Sequence, residues 1–371
     1  MHIPDGYLSP STCVTMYGAS APFWWVAMRR VKKKLHSQTA PLISVFAAFS
    51  FVIMMFNLPI PGGTTAHALG VGIAAIVLGP WASILSVSSA IFIQALFFGD
   101  GGITTFGANA FNMAIVGSLA AYLSYRLLAG RAPIAASRRV VAAAVAGYAA
   151  INVAALCAAL ELGVQPLLFK DAVGAPLYAP YPLSISIPAM MIAHLTFAGL
   201  AELVITGGIV AYLQRADPSL LRLTAPGAPT MMEPAPDVAT RSGWSAAKSL
   251  WLAIALLMIL TPLGILAGGA AWGEWAPRDF VNPAGRAKIA QTSHNVAPPT
   301  RPPAGIQRLS TLWTAPFPNY APPFVKRGRL GYFLSALFGG GILIFIFLIL
   351  RRFLGQKDSG RKEMRVDPGE A

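Results

Sequence analysis

Charged residues are what this sequence has least of. Asp, Glu, Lys and Arg make up 11% of its 371 residues, where an ordinary soluble domain carries about a quarter. That shortage excludes a water-facing globular surface. Cysteine is nearly absent as well. Cys13 and Cys157, both within apolar stretches, are the two present. They exclude a disulfide framework or a thiolate metal cluster and read as small packing residues. No GxxxxGK(S/T) phosphate loop occurs, so the chain carries no ATPase site of its own, and no HExxH zinc-hydrolase pattern occurs either. Acidic residues are the scarcer sign, 14 against 28 basic, for a formal net charge of +14. Such an excess can mark a nucleic-acid partner, but its placement excludes one here. The basic residues gather in short clusters between apolar runs, such as "RRVKKK" at Arg29 to Lys34 and "GRAPIAASRR" ending at Arg139. Cytoplasmic loops look this way under the positive-inside rule.

What is present is apolar. The chain is 55% hydrophobic with a mean hydropathy of +0.60. Several runs approach the roughly 20 residues that carry a helix across a bilayer. Spans are expected at about 9–28, 40–57, 66–79, 82–98, 106–128, 139–160 and 185–213, then at about 247–269 and 331–351. The first run is no signal peptide, because its lysines and arginines follow the apolar stretch instead of preceding it. They draw the next loop inward and leave Met1 outside. Loops "NLPIPGGTTAH" and "GDGGITTFGAN" lack Lys and Arg and fall outside, while the clusters at Arg126–Arg139 and Arg215–Arg222 fall inside. The expected fold is an all-α integral membrane protein in the cell membrane, surrounded by lipid, with an external N-terminus and a cytoplasmic C-terminus. It is a bundle of about seven helices over 1–214, a Pro- and Ala-rich linker over 215–246 and a two-helix module over 247–371. The long loop of that module falls outside, although it ends in "VKRGR"; the charge rule weakens for loops of about 60 residues. Small residues in "AAAVAGYAAINVAALCAAL" read either as tight packing inside the bundle or as a flat face for another membrane subunit.

The opening "MHIPDGYLSP" places an imidazole one residue from the chain's amine. Met1 and His2 fall on the outer side, and so does His67 in "GGTTAHALG". Terminal amine, His2 amide nitrogen and His2 ring nitrogen close two fused chelate rings on one ion, with His67 as a fourth nitrogen. Planar nitrogen ligation favours Ni(II) or Cu(II), and imidazole suits Ni, Cu, Co and Zn. Asp5 orients the segment, and Pro4 and Gly6 shape a turn. A second reading stands beside this one: a histidine at a chain end or a span boundary also serves as an ordinary interfacial polar group.

"MHIPDGYLSP", "AHALG", "QALFFGDGGITTFGANAFNMAIVG" and "MIAHLTFAGLAELVITGGIVAYL" together resemble the CbiM/NikM family over about residues 1–214. These are the substrate-binding membrane components of energy-coupling factor transporters for cobalt and nickel. The resemblance implies a metal site at Met1, His2 and His67, Ni2+ or Co2+ as substrate with no resident cofactor, and partners in the form of ATPase subunits and a transmembrane coupling subunit. The stretch with "TPLGILAGGAAWGEW" and "LWTAPFPNYAPP" is similar in layout to the two-span CbiN/NikN components.

Gln94, Asp100, Thr104, Thr105 and Asn109 surround the external loop between the fourth and fifth spans. They read as outer groups that hydrogen-bond the metal-bearing segment, or as partners for the backbone of a Gly-rich loop at membrane depth. Asn109 is the foremost of them. His194 and Glu202 lie about two turns apart near one face of the seventh span. Ionisable groups there are costly and functional by default, so they are expected to pair with each other or with a partner subunit in a structural or coupling role. A zinc-dependent intramembrane hydrolase built on that pair, and a stand-alone metal channel or secondary transporter, are the competing functions. The first lacks a second ligand pair and the second lacks an internal repeat.

Overall fold

Helices make up nearly all the regular structure, as the long apolar runs predict. The computed structural model describes residues 1–34, 39–225, 228 and 243–359. Helix α1 is Pro10–Lys34, α2 Thr39–Met54, α3 Val71–Leu78 and α4 Pro80–Phe98. Helix α5 is Phe106–Ala129, α6 Ser137–Leu168 and α7 Leu183–Ala216, followed by α8 (Gly243–Leu260) and α9 (Gly328–Ser359). By length and apolarity α4, α5, α6, α7 and the Gly328–Ile349 part of α9 are each able to cross a membrane. The chain is a multi-pass membrane protein. Of the expected linker, 226–227 and 229–242 lie outside the described residues, as does the tail from 360. The start of that linker is folded. Asp217 caps the short helix Pro218–Arg222, Leu220 and Leu221 are buried, and Thr224 Oγ1 donates to the Ile76 carbonyl at 2.5 Å.

The third expected span is not a full helix. Strands β1 (Leu58–Ile60) and β2 (Thr64–Ala66) form a small antiparallel hairpin, Leu58 opposite Ala66. An extended stretch follows to Gly70, and only then does α3 begin. Its eight residues rise about 12 Å, well short of a bilayer's roughly 30 Å apolar core. A helix that starts inside the bundle leaves amide hydrogens without partners. Glu202 of α7 supplies them: its carboxylate accepts from Leu69 N, Gly70 N and Gly72 N at 2.8, 2.9 and 3.1 Å. The pattern of apolar residues shows where α3 lies but not that its N-terminal end is capped from another helix.

Helices α3, α6 and α7 meet through small residues. A Cβ on Gly72 would stand 2.5 Å from Thr206 Oγ1 and 2.8 Å from the Cα of Gly147, so only glycine permits this approach. Along α6, Ala142, Ala143, Ala146, Ala150, Ala154, Ala155, Ala158 and Ala159 are all buried, while Val141, Val145, Val153, Leu156 and Leu160 face outward. The alanines therefore pack inside the bundle, and the outward side of α6 is built of larger apolar residues.

Helices α8 and α9 pack against α2. The chain between them folds over the end of the bundle that carries the N-terminus. Its main chain bridges Thr65 at Ala271, and Gly305 N donates to Leu177 O at 2.7 Å, Phe317 N to Phe97 O at 2.9 Å. Tyr181 and Trp272, Trp275 and Phe280 form one aromatic cluster there, and Phe98 with Phe317, Tyr320 and Phe338 another.

Candidate metal centre

The first nine residues form a buried arm in place of a frayed end. Met1 and His2 are each 2% exposed, and Ile3, Tyr7 and Leu8 are enclosed as well. Burying a large apolar side chain contributes roughly 1.5–3 kcal/mol, so Ile3, Leu8 and the Tyr7 ring anchor the arm. Its polar backbone is then matched. Asn109 accepts from Ile3 N through Oδ1 at 2.8 Å and donates from Nδ2 to Ile3 O at 3.0 Å. Gly102 N and Thr105 Oγ1 donate to that same carbonyl. Asp5 accepts from Ile103 N at 3.1 Å, from Thr104 N at 2.7 Å and from the Thr104 hydroxyl. A side chain at position 102 would collide with Asp5, since a Cβ there stands 2.3 Å from Oδ1. Ser9 N donates to Gln165 Oε1 at 3.0 Å, and Ala179 N to Tyr7 O at 3.0 Å.

These anchors bring His2 onto His67, with ring centroids 5.2 Å apart and planes 29° from parallel. His67 Nδ1 donates to the Ala68 carbonyl at 3.0 Å, which sets the tautomer and leaves Nε2 with its lone pair. His2 is different. Both its ring nitrogens are buried and lack a hydrogen-bond partner among the described residues. Its Nδ1 lies 3.0 Å from Asp100 Oδ1 without the alignment of a hydrogen bond. The Met1 amine sits 3.6 Å from Glu274 Oε1. Buried polar atoms are normally paired, so the orphaned Nε2 marks a place for a ligand.

Asp100 and Glu274 are poised differently. Burial works against the charge of Asp100, but His2, His67 and the Tyr320 hydroxyl outweigh it and hold the carboxyl well below the usual range. Burial pushes the Glu274 carboxyl up, opposed by the Met1 ammonium. Tyr320 donates to Asp100 Oδ2 at 2.5 Å, and burial with the adjacent carboxylate pushes its phenol well above the usual value.

Of the residues singled out in the sequence, Met1, His2 and His67 come together with Asp100, and Asp5, Thr104, Thr105 and Asn109 hold the arm. Gln94 makes no hydrogen bond to the arm among the described residues. It reaches Asp100 at one remove, donating from Nε2 to Tyr320 Oη at 3.0 Å. His194 and Glu202 do not pair. His194 Nδ1 donates to Met190 O at 2.8 Å, and Glu202 caps α3. The turn His194–Ala198 nevertheless packs against the β1–β2 hairpin that leads to His67. Among the described residues it is one of three π-helical turns, with Gln94–Phe98 and Ala110–Val116, and such turns recur at functional sites. Glu274 and Tyr320 were missed by sequence reasoning. Glu274 had a signal, a single acid between two tryptophans in "AWGEWA". Tyr320 had none, since its partner Asp100 lies 220 residues away.

An amino-terminal arm folded into a polytopic helical bundle, with an orphaned imidazole nitrogen at its tip, describes a metal-transport membrane protein rather than an enzyme. Comparison agrees: the chain belongs to the CbiM family, described as the cobalt uptake substrate-specific transmembrane region, whose model matches residues 2–220. It is 55% identical to the fused nickel transport protein NikMN of Rhodobacter capsulatus, over 93% of this chain and 95% of that one. It is also 34% identical to the cobalt transport protein CbiM of Geobacter sulfurreducens, over 60% of this chain and 61% of that one. A crystal structure of a transition metal transporter superposes with a TM-score of 0.55 at 53% identity, over 58% of this chain and 94% of that one.

Proposed function

We propose that this chain captures Ni2+ or Co2+ at the face bearing its N-terminus, which looks out of the cell, and passes the ion inward as the specificity component of an ATP-driven energy-coupling factor transporter. The ATPase subunits and the coupling subunit are separate chains. Residues 1–214 hold the substrate, and residues 247–371 form the auxiliary unit that covers it. The Met1 amine, the His2 amide and ring nitrogens and His67 are the ligands. The observation that carries this reading is His2, enclosed and stacked on His67, with its Nε2 unsatisfied.

Charge balance supports the same set. Without metal, the Met1 ammonium sits beside the Glu274 carboxylate, and the Asp100 carboxylate lies against His2. Loading by one divalent ion removes the ammonium proton and the His2 amide proton, so the buried net charge is unchanged. A low-dielectric site thereby avoids the cost of gaining or losing charge. The nickel and cobalt relatives support both ions as substrates, and planar nitrogen donors favour nickel. A zinc hydrolase built on His194 and Glu202 finds no support, because the two do not pair and the Glu202 carboxylate is committed to the amides of Leu69, Gly70 and Gly72.

The test is nickel and cobalt binding by the purified full chain with a free amine, read by elemental analysis and visible absorption. One equivalent with a planar-nitrogen spectrum is expected. His67→Ala should abolish tight binding, and one residue added before Met1 should do the same. Undiminished binding by either variant overturns the ligand assignment.

A further inference from the structure

The three groups nearest the tip of the arm do not all come from one stretch of chain. Single donor atoms of His2, Asp100 and Glu274 lie within 4.8 Å of one another. A divalent ion bound at about 2.1 Å to each ligand spaces opposite donors by about 4.2 Å, so small shifts bring all three onto one ion. Exposure is graded across the set: the His2 side chain is fully enclosed, while those of Asp100 and Glu274 are 19% and 23% exposed. The two carboxylates therefore stand at the mouth and the imidazole at the floor. Glu274 is carried by the chain between α8 and α9, beyond the residues that match the family model.

Each carboxylate is held in place by a separate contact. Tyr320 occupies Asp100 Oδ2, which leaves Oδ1 toward His2. The Tyr7 hydroxyl donates to Trp275 O at 2.7 Å and accepts from Trp275 N at 3.0 Å. That clasp ties the residue after Glu274 to the arm itself, so Glu274 stays beside Met1 wherever the arm is docked. The unpartnered Nε2 of His2 points to a ligand independently of the two acids. Carboxylate oxygens accept Mg, Ca, Mn and later transition metals alike, whereas the nitrogen donors discriminate. Opposite charge at a cleft mouth also raises the encounter rate by 10-fold or more.

We propose that His2, Asp100 and Glu274 form a capture site for a divalent cation at the mouth of the centre, filled before the amine, amide and His67 nitrogens close on the ion. The site rests on the metal-binding reading above and adds an oxygen-bearing first station to it, with one ligand from the C-terminal part of the chain. Selectivity then follows from the transfer to nitrogen rather than from entry.

Stopped-flow absorption of the purified full chain mixed with NiCl2 or CoCl2 tests it. Glu274→Gln should slow loading about tenfold or more while the absorption maximum of the loaded protein stays in place. Glu274→Asp, which keeps the charge, should load within about threefold of the unaltered chain and also shows that the loop still folds. A rate for E274Q equal to that of the unaltered chain overturns the capture site. So does a shifted absorption maximum, which would put Glu274 in the final ligand set. Absence of binding by the unaltered chain would instead overturn the preceding reading.

Discussion

Asn109→Ala removes a side chain that lies outside the proposed ligand set. Its amide makes two hydrogen bonds to the Ile3 backbone, 2.8 Å from Ile3 N and 3.0 Å to Ile3 O. Ile3 O keeps partners in Gly102 N and Thr105 Oγ1. Ile3 N has no replacement named in the structure, so it is left buried and unsatisfied. Losing a bond of this kind and orphaning a buried amide costs about 1–3 kcal/mol. Taking about 2 kcal/mol, the docked arm is disfavoured about thirtyfold, and where docking limits binding the metal affinity falls by the same factor. That agrees with the 10–100-fold effect typical of groups that orient metal ligands. Calorimetric titration of purified N109A with Ni2+ measures it, and visible absorption of the saturated protein separates positioning from ligation. The affinity should drop while the absorption maximum stays where it is. Affinity within about threefold of the unaltered chain refutes the argument, because the arm would then dock without its clamp. A moved maximum refutes it too, because Asn109 would be altering the ligand set itself.

Two further outcomes follow from the same geometry. On the proposed ligation, loading exchanges the ion for protons on the Met1 amine and the His2 amide, so affinity should rise with pH, by up to about a hundredfold per pH unit where both are released; proton release measured in weak buffer gives the count, and none released would contradict amine and amide ligation. Glu202→Gln leaves one of three α3 amides facing an NH2 group instead of an oxygen. It should lower stability by about 1–3 kcal/mol, seen as a lower midpoint of thermal unfolding in detergent. An unchanged midpoint would mean that α3 is not held by this cap.

The membrane class, the helical fold and the three nitrogen-bearing residues were legible along the chain because each is written locally. Apolar runs of span length, basic clusters between them and a histidine beside the amine need no long-range knowledge. The roles of Asp5, Thr104 and Asn109 were legible in outline, as polar residues in one loop opposite one arm. The break in the third span was not. Residues 66–79 are apolar enough to suggest a continuous helix, and what interrupts it is a carboxylate on α7, 130 residues or more away. His194 and Glu202 looked like a pair because helix periodicity puts them near one face, yet each found a backbone partner closer to hand.

Sequence alone thus determined that this chain lives in a membrane, that its N-terminus is chemically loaded and which nitrogen donors are to hand. Hydropathy and ligand type are properties of residues, and they survive being read one at a time. Only the tertiary structure decided that the arm is buried rather than free, that His2 stacks on His67 with its Nε2 unclaimed, and that Glu274 reaches the Met1 amine from the C-terminal part of the chain. Those are relations between segments up to 273 residues apart, Met1 to Glu274 being the longest. They are set by which faces pack together, and packing leaves no local trace in the order of the amino acids.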